Sequence, residues 1–500
     1  MAIEKESSRQ SSRSLSRRDF LRNAGTGAAS LVLCRAMGVF GADKSVPVEA
    51  LYNEKYRPQF HFTPMKNWTN DPNGLVYYKG EYHLFFQHNP FSVNWGNMTW
   101  GHAVSKDLMH WKQLPHAIEP DELGTIFSGS AVVDWNNTSG FQTGDENVMV
   151  AFYTSAGGFA KPEKKPFTQS IAYSNDRGRT WVKYKNNPVI GNIRDNDNRD
   201  PKVIWHEQSK QWIMSLFIET DDDFALLASK DLKKWQIIQT LKVPGARECP
   251  DFFPLAVDGN SEDTRWVYWG GNSAYLLGSF DGKKFTVTEG PYFAATGQYY
   301  AAQTYSDIPD SDGRRIQIAW MNKGKFPGMP FNQQMSIPCE LKLRTTSEGV
   351  RLCLLPVKEL KSLRGEKQSL KNVDLKPGEN PLAEVTGELL EIRCRIELGT
   401  ASHLDFKLRG KKLVYDVKKK MLSSQGGKDI KIEPTKGSIK LTILIDRASI
   451  EIFSGRGESS MFMSCPLDPA EKSVEIIARG GQAKIKRMNV WQLKSTWPKT

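Results

Sequence analysis

Three acids stand in short segments of unusual composition. Asp71 lies in Asn70-Asp71-Pro72-Asn73-Gly74, Asp200 in Arg199-Asp200-Pro201, and Glu248 in Arg247-Glu248-Cys249-Pro250. Each segment taken alone reads as a turn or as nothing in particular, because Asn, Asp, Pro and Gly are the ordinary turn formers. Together they have a chemical use. Carboxylates gathered in one site can cleave an acetal. One attacks the anomeric carbon; another, held protonated, donates to the leaving oxygen and later activates water. Crowding three acids also favours keeping one of them neutral, since like charges oppose ionisation. This chemistry requires residues 71, 200 and 248 to meet, so the elements that carry them must bring distant parts of the chain together.

A recurring marker supplies such a frame. Ser105-Lys106-Asp107 leads to Trp111, Ser174-Asn175-Asp176 to Trp181, Ser229-Lys230-Asp231 to Trp235, and Ser279-Phe280-Asp281 to Phe285. Ser and Asp at these positions can hydrogen-bond their own turn backbone. The aromatic then opens the next strand and packs between neighbouring sheets. The Asp residues are 69, 55 and 50 positions apart, a period that marks a repeat architecture. Short alternating runs lie upstream of the markers: Leu75–Tyr78 and Glu81–Gln87 flanking Lys79-Gly80, Val148–Thr154, Val203–Trp205, Gln211–Ile218 and Ile316–Trp320. Strands of this length without long helical periods predict an all-β chain, and four-stranded blades around a central channel fit best. About five periods fit between residues 55 and 345, which predicts a five-bladed β-propeller. Asp71, Asp200 and Glu248 precede their markers by 36, 31 and 33 residues. They therefore share a register in three blades, and if the first strand is innermost they converge on one end of the channel.

Beyond residue 345 the marker stops. Leu389–Ile396, Ser438–Ile445, Ser449–Phe453 and Val474–Ala478 alternate as strands, which predicts a two-sheet β-sandwich. The expected organisation is an export signal over 1–42, a linker over 43–54, the propeller over 55–345, a connector over 346–365 and the sandwich over 366–496.

Composition bounds the remaining classes. Of the net charge of +12, residues 1–42 carry +4, and Lys-rich stretches such as Lys411–Lys420 carry much of the rest. A basic balance can serve nucleic acid or an acidic polymer, but no nucleic-acid motif is present, and a solvated basic face is the preferred reading. Ser16-Arg17-Arg18-Asp19-Phe20-Leu21, followed by a modestly apolar stretch from Ala24 to about Ala42, resembles a twin-arginine leader. It is too short and too rich in Gly and Ala to span a bilayer stably. The expected localisation is therefore outside the cytoplasm, with no membrane association once the signal is removed. Of six Cys, Cys34 lies in the leader and the other five show no paired spacing, so no disulfide framework is predicted. No C-x-x-C or H-E-x-x-H spacing occurs, and neither a metal nor a cofactor is implied.

The motifs also resemble a known family. Trp68-Thr69-Asn70-Asp71-Pro72-Asn73-Gly74, Arg199-Asp200-Pro201 and Glu248-Cys249 are similar, in this order, to three motifs of glycoside hydrolase family 32, the invertases, inulinases and levanases. Gln87-His88-Asn89-Pro90, Trp95-Gly96-Asn97-Met98, Trp100-Gly101-His102 and Phe127-Ser128-Gly129-Ser130 match as well. One departure is Arg247, where many members carry Trp. The resemblance covers nearly the whole chain after the leader and implies a propeller followed by a β-sandwich. It implies Asp71 as nucleophile, Glu248 as acid/base and Asp200 as transition-state stabiliser, with Arg199 holding Asp200 ionised. It further implies that Asn70, Gln87 and Ser128 bond sugar hydroxyls, that Trp68, Trp95 and Phe127 wall the ring, and that Trp320 lines the leaving-group side. His88 and His102 are expected to be scaffold. The substrate implied is sucrose or a β-fructan, levan or inulin. The stretch from Trp320-Met321-Asn322 to Pro327-Gly328-Met329-Pro330-Phe331-Asn332 is more similar to bacterial levanases and exo-inulinases than to plant invertases. A propeller that binds sugar without cleaving it, an inverting arabinan-type hydrolase and a fructosyltransferase remain as alternatives.

Overall fold

The computed structural model describes residues 51–195, 197–219, 223–425 and 429–498. The leader, with Arg17 and Arg18, lies outside the described residues.

Local chemistry sets the first hairpin. Tyr78 pairs with Glu81, leaving Lys79 and Gly80 as a two-residue loop at φ 45° and 88°. Two left-handed residues give the turn whose twist matches the flanking strands. The markers form the turns expected of them. Asp107 Oδ1 accepts the Met109 and His110 backbone N–H groups at 3.0 and 2.8 Å. Asp176, Asp231 and Asp281 repeat the arrangement with Arg179 and Thr180, with Lys233 and Lys234, and with Lys283 and Lys284. The aromatic after each turn enters a different apolar cluster: Trp111, Trp181, Trp235 and Phe285 each pack into their own.

These units assemble as five antiparallel blades, a five-bladed β-propeller. Their first strands are Asn67–Tyr78, Thr125–Asp134, Arg199–His206, Asp251–Val257 and Tyr300–Thr304. Each touches the next in cyclic order, and Tyr300–Thr304 returns to Asn67–Tyr78, so the first strands are innermost. The seam is held by Ser306 N–H to Leu75 O at 2.9 Å and Tyr77 N–H to Ser306 O at 3.0 Å. The fifth blade carries no marker. Its outer pair, Cys339–Thr346 and Gly349–Pro356, runs past the expected propeller boundary at residue 345 into the expected connector, because ladder pairing and not the Ser-x-Asp turn defines that blade. A short 3-10 turn, Lys358–Leu363, then leads into the β-sandwich.

In the sandwich, one sheet contains Arg364–Leu375, Ala483–Leu493, Leu390–Glu397, Ser438–Asp446, Ser449–Ser454 and Ser460–Ser464 side by side. The other contains Val474–Arg479, His403–Leu408, Lys411–Asp416 and Met421–Ser424. Between them lies an apolar core that includes Ile392, Ile396, Leu404, Phe406, Ile443 and Ile476. The opposite face of the first sheet meets the propeller: Leu444, Phe453 and Phe462 belong to the same cluster as Leu341 and Leu354 of blade five. A buried charge cluster crosses this contact. His61 Nδ1 lies 2.8 Å from Asp446 Oδ2, and His61 Nε2 lies 3.2 Å from Glu451 Oε2. All five cysteines among the described residues are unpaired thiols.

Candidate active site

The side chains at one end of the channel are aimed by irregularities in the inner strands. The pairing of Asn67–Tyr78 slips between Thr69 and Pro72, around Asp71. Thr125–Asp134 slips between Ile126 and Gly129, around Phe127 and Ser128. In blade three the slip falls between Arg199 and Lys202, around Asp200, and in blade five between Tyr300 and Gln303. A bulge inserts a residue, bends the strand and re-aims a side chain. Four inner strands do this at one level. In the fourth blade the strand starts at Asp251, and Glu248 sits in the loop just before it. Asp200, Glu248, Cys249 and Ala301 take φ of 66°, 53°, 42° and 50°, a region that non-glycine residues avoid unless the surroundings enforce it. Part of the enforcement is Gly271, whose N–H reaches Arg247 O and Glu248 O at 3.0 and 2.9 Å, and whose carbonyl accepts from Ala301 N–H at 2.7 Å. A Cβ on the neighbouring Gly270 would meet Ala246 Cβ at 2.3 Å, so the tight approach of this loop requires glycine.

The three acids meet. Cys249 Sγ lies 3.7 Å from Asp71 Oδ2 and 3.5 Å from Asp200 Oδ2, bridging the two carboxylates. The Cys249 backbone N–H donates to Asp200 Oδ2 at 3.0 Å. Ser128 Oγ donates to Asp71 Oδ2 at 2.6 Å. Glu248 is held from both sides: Arg199 Nη2 donates to Oε1 at 2.9 Å, and the Tyr300 hydroxyl donates to Oε2. Arg199 is fixed in turn by Glu219 Oε2 at 2.9 Å and by the Asp197 carbonyl at 3.0 Å.

Electrostatics follow from this crowding. Burial pushes the Asp200 carboxyl up to about 7, with Arg199 opposing and the Glu248 and Asp71 charges adding to the rise. Burial also raises Asp71, against hydrogen bonds from Ser128 and Asn70. The Cys249 thiol, buried beside three carboxylates, lies well above its usual range; it is therefore a neutral donor. The proton held near neutrality thus falls on Asp200; Arg199, expected to hold that acid ionised, hydrogen-bonds Glu248 and Glu219 instead and opposes the rise only through its charge.

Around the acids, two aromatic groups stand apart. Trp95, Phe127 and Phe159 pack together, with ring centroids 5.4–6.0 Å apart; Trp95 and Phe159 remain 48% and 46% exposed. Trp68 and Tyr300 flank Trp320, each with its ring centroid 6.2 Å from that of Trp320, so Trp68, expected beside Trp95 and Phe127, stands with the leaving-group candidate instead. Trp68 Nε1 donates to Asn70 Oδ1 at 2.8 Å, and Trp320 Nε1 to Gln333 Oε1 at 3.0 Å. Gln87 is buried. With the Asn73 amide oxygen turned toward it, Gln87 Nε2 donates to that oxygen at 3.0 Å, while Asn73 nitrogen donates to Ser128 Oγ at 3.3 Å. Gln87 thus supports the Ser128–Asp71 contact from behind. His88 and His102 are buried and held below their ordinary range by burial, His88 at about 4, so both stay neutral; His88 bonds the Trp68 carbonyl, and His102 pairs with His83.

The residues that sequence reading did not single out are Tyr300, Glu219 and Phe159. Tyr300 opens the inner strand of blade five, the position Arg199 holds in blade three, but that blade lacks the marker that would have aligned it. Glu219 follows the second strand of blade three, where no pattern distinguishes it. Phe159 sits in a short 3-10 turn, Gly157–Phe159, after the second strand of blade two.

Residues 61–356 match the family profile described as "Glycosyl hydrolases family 32 N-terminal domain", and residues 359–492 match "Glycosyl hydrolases family 32 C terminal". A levanase of Bacillus subtilis (strain 168) is 41% identical, over 94% of this chain and 74% of that protein. An extracellular exo-inulinase of Aspergillus niger is 32% identical, over 89% of this chain and 96% of that protein. Among solved structures, exo-inulinase from Aspergillus awamori superposes with a TM-score of 0.80 at 31% identity, covering 89% of this chain and 100% of that chain.

Proposed function

The chain belongs to glycosyl hydrolase family 32, and from that premise we propose that it is a retaining β-fructofuranosidase acting on β-fructans and on sucrose. The observation that carries the reading is the convergence of Asp71, Asp200 and Glu248 on one end of the channel, where Cys249 bridges Asp71 and Asp200 and where Arg199 and Tyr300 hold Glu248. The likeness to a levanase and an exo-inulinase favours fructan as the main substrate.

In this reading Asp71 attacks C2 of the terminal fructosyl unit. As the new bond forms, the bond from C2 to the leaving oxygen breaks, and that oxygen takes the proton of Glu248. Glu248 then accepts a proton from water, which attacks C2 and releases Asp71. Asp200 bonds ring hydroxyls, and in its ionised form, which positive charge developing at C2 favours, it offsets that charge. Trp95, Phe127 and Phe159 wall the ring, and Trp320 faces the leaving group. Arg199 and Tyr300 fix both oxygens of Glu248, so the proton is delivered along one direction. A fructosyltransferase shares the first step and differs in the acceptor, which product analysis on concentrated sucrose separates.

The stereochemical outcome tests the reading. Hydrolysis followed by NMR in the first minutes should release the β-anomer of fructose first; the α-anomer appearing first would exclude a fructosyl-enzyme. Asp200→Asn keeps the shape of the side chain and removes its charge. It should lower kcat by about 10²–10³-fold, the range for losing one stabiliser of transition-state charge, with little change in thermal stability. A kcat within threefold of the native value would remove Asp200 from the reaction.

We also propose export of the folded enzyme through the twin-arginine leader, supported by the likeness to an extracellular exo-inulinase. Replacing Arg17 and Arg18 with Lys should leave active enzyme inside the cell. Continued export of that variant would overturn the leader assignment.

A further inference from the structure

The positive charge of this chain is concentrated. Residues 359–492 hold 25 Lys and Arg against 18 Asp and Glu, so the sandwich carries +7 of the net +12. Part of that excess is ordered by strand register. Lys371 is paired with Arg487, Arg487 with Arg395, and Arg395 with Lys440, across four adjacent strands of one sheet. Residues directly opposite in a ladder point to the same face. All four are exposed, while Cys394, Ile396, Ile439, Leu441 and Met488 beside them are buried in the sandwich core. Three strand spacings of about 4.8 Å make a row of four cations about 14 Å long.

None of the four forms an ion pair among the described residues. The acids nearest along these strands are taken: Glu397 by Lys486 at 3.2 Å and Asp374 by Lys484 at 3.0 Å. Like charges set directly opposite one another destabilise a sheet, so the row works against the fold that carries it. A solvated face needs no such alignment, and interspersed signs would serve it better.

The neighbouring row supplies a second feature. Two residues along each strand stand Ser369, Asn489, Arg393 and Thr442, again in mutual register. Two residues further, Trp491 and Leu444 pack against the propeller, with Glu391 between them paired to Arg364 and Arg393. A line of cations thus runs beside a line of hydroxyl, amide and guanidinium groups, on the face from which the propeller rises. No aromatic side chain lies in either row, so the stacking platform that single-stranded nucleic acid uses is missing. A planar bilayer is held off by the propeller about 13 Å away along the strands; a flexible chain is not.

We propose that this face of the sandwich binds a linear acidic polysaccharide, with its carboxylate or sulfate groups on Lys371, Arg487, Arg395 and Lys440 and its hydroxyls on Ser369, Asn489 and Thr442. The site is separate from the acids of the channel and would hold the enzyme in a polyanionic matrix while the propeller works.

The test uses the chain without its leader and polygalacturonate as the probe, titrated at several salt concentrations. The combined variant Lys371→Gln, Arg395→Gln, Arg487→Gln, Lys440→Gln should bind about tenfold more weakly or worse at low salt. Its slope of log affinity against log salt should fall by about three, at roughly 0.7 per lost contact. A control with Lys411→Gln, Lys412→Gln, Lys418→Gln and Lys436→Gln removes equal charge elsewhere and should bind within twofold of native. Both variants should turn over sucrose normally, and the first should melt no lower than native, since it relieves repulsion. Equal binding by native and row variant, or equal loss in the control, would overturn the proposal. So would tighter binding of a single-stranded oligonucleotide or of vesicles with anionic headgroups than of polygalacturonate.

Discussion

Replacing Asp71 or Glu248 with alanine is expected to lower kcat by at least about 10⁴-fold, or about 5.5 kcal/mol of barrier, and to leave the fold intact. The geometry gives each loss a different signature. Asp71 accepts from Ser128 and touches Cys249 through Oδ2; without it no covalent intermediate forms, and no choice of leaving group restores turnover. Glu248 is held by Arg199 and Tyr300, and its absence removes the proton donor of the first step and the base of the second but leaves the nucleophile. Glu248→Ala should therefore recover a large part of its rate on fructosyl fluoride, whose leaving group needs no proton, when azide is present as nucleophile. Asp71→Ala should recover nothing in water, and with azide should yield only the fructosyl azide of inverted configuration, where Glu248→Ala yields the retained one. Circular dichroism and melting temperature establish that both variants fold. Near-native hydrolysis of sucrose by either, or equal rescue of both, would reverse the assignment of roles.

His61→Leu is expected to destabilise the folded chain by about 3–5 kcal/mol, the cost of leaving buried charge without its partner. His61, Asp446 and Glu451 have fully buried side chains. Asp446 keeps backbone donors from Gln59, Phe60 and Arg447 after the change, so most of the loss falls on Glu451, left with the Ile337 N–H. The exposed pair Arg479–Asp405 serves as the comparison; removing it should cost no more than about 1 kcal/mol. The pH dependence carries a sign. Burial alone would lower the imidazole, but Glu451 and Asp446 overcome it and raise His61 from its ordinary 6.5 to about 9. A group raised on folding contributes its full stability below its unfolded value and loses it as pH climbs through the folded one. Native protein should therefore lose stability in urea between about pH 7 and 10, and His61→Leu should lack that decline. Parallel curves for the two proteins would show that His61 is not charged in the fold.

The gathering of Asp71, Asp200 and Glu248 and the frame that carries them were legible in the amino-acid sequence. The Ser-x-Asp turns and the aromatics after them were readable because both act over a few residues: Asp176 bonds N–H groups three and four positions on, and Trp181 opens the next strand. A recurrence every 50–69 residues then carried that local chemistry around the ring and put the three acids at one level. The limit of the ruler is visible in blade five, where no marker exists and Tyr300 went unseen.

Tertiary structure decided what depends on chain crossings. Bulges at Asp71, Ser128, Asp200 and Ala301 arise from ladder pairing and have no signature in composition. Tyr300 reaches Glu248 from 52 residues away, and Arg199 joins Glu219 to Glu248 across two blades. His61 finds Asp446 at a separation of 385 residues. Arg395 faces Arg487 and Lys440 only because three strands adopt one register. Short-range hydrogen bonds and side-chain periodicity are written in neighbouring residues. Electrostatic contacts between distant strands depend on which surfaces pack together, and burial then makes those few contacts strong enough to set protonation.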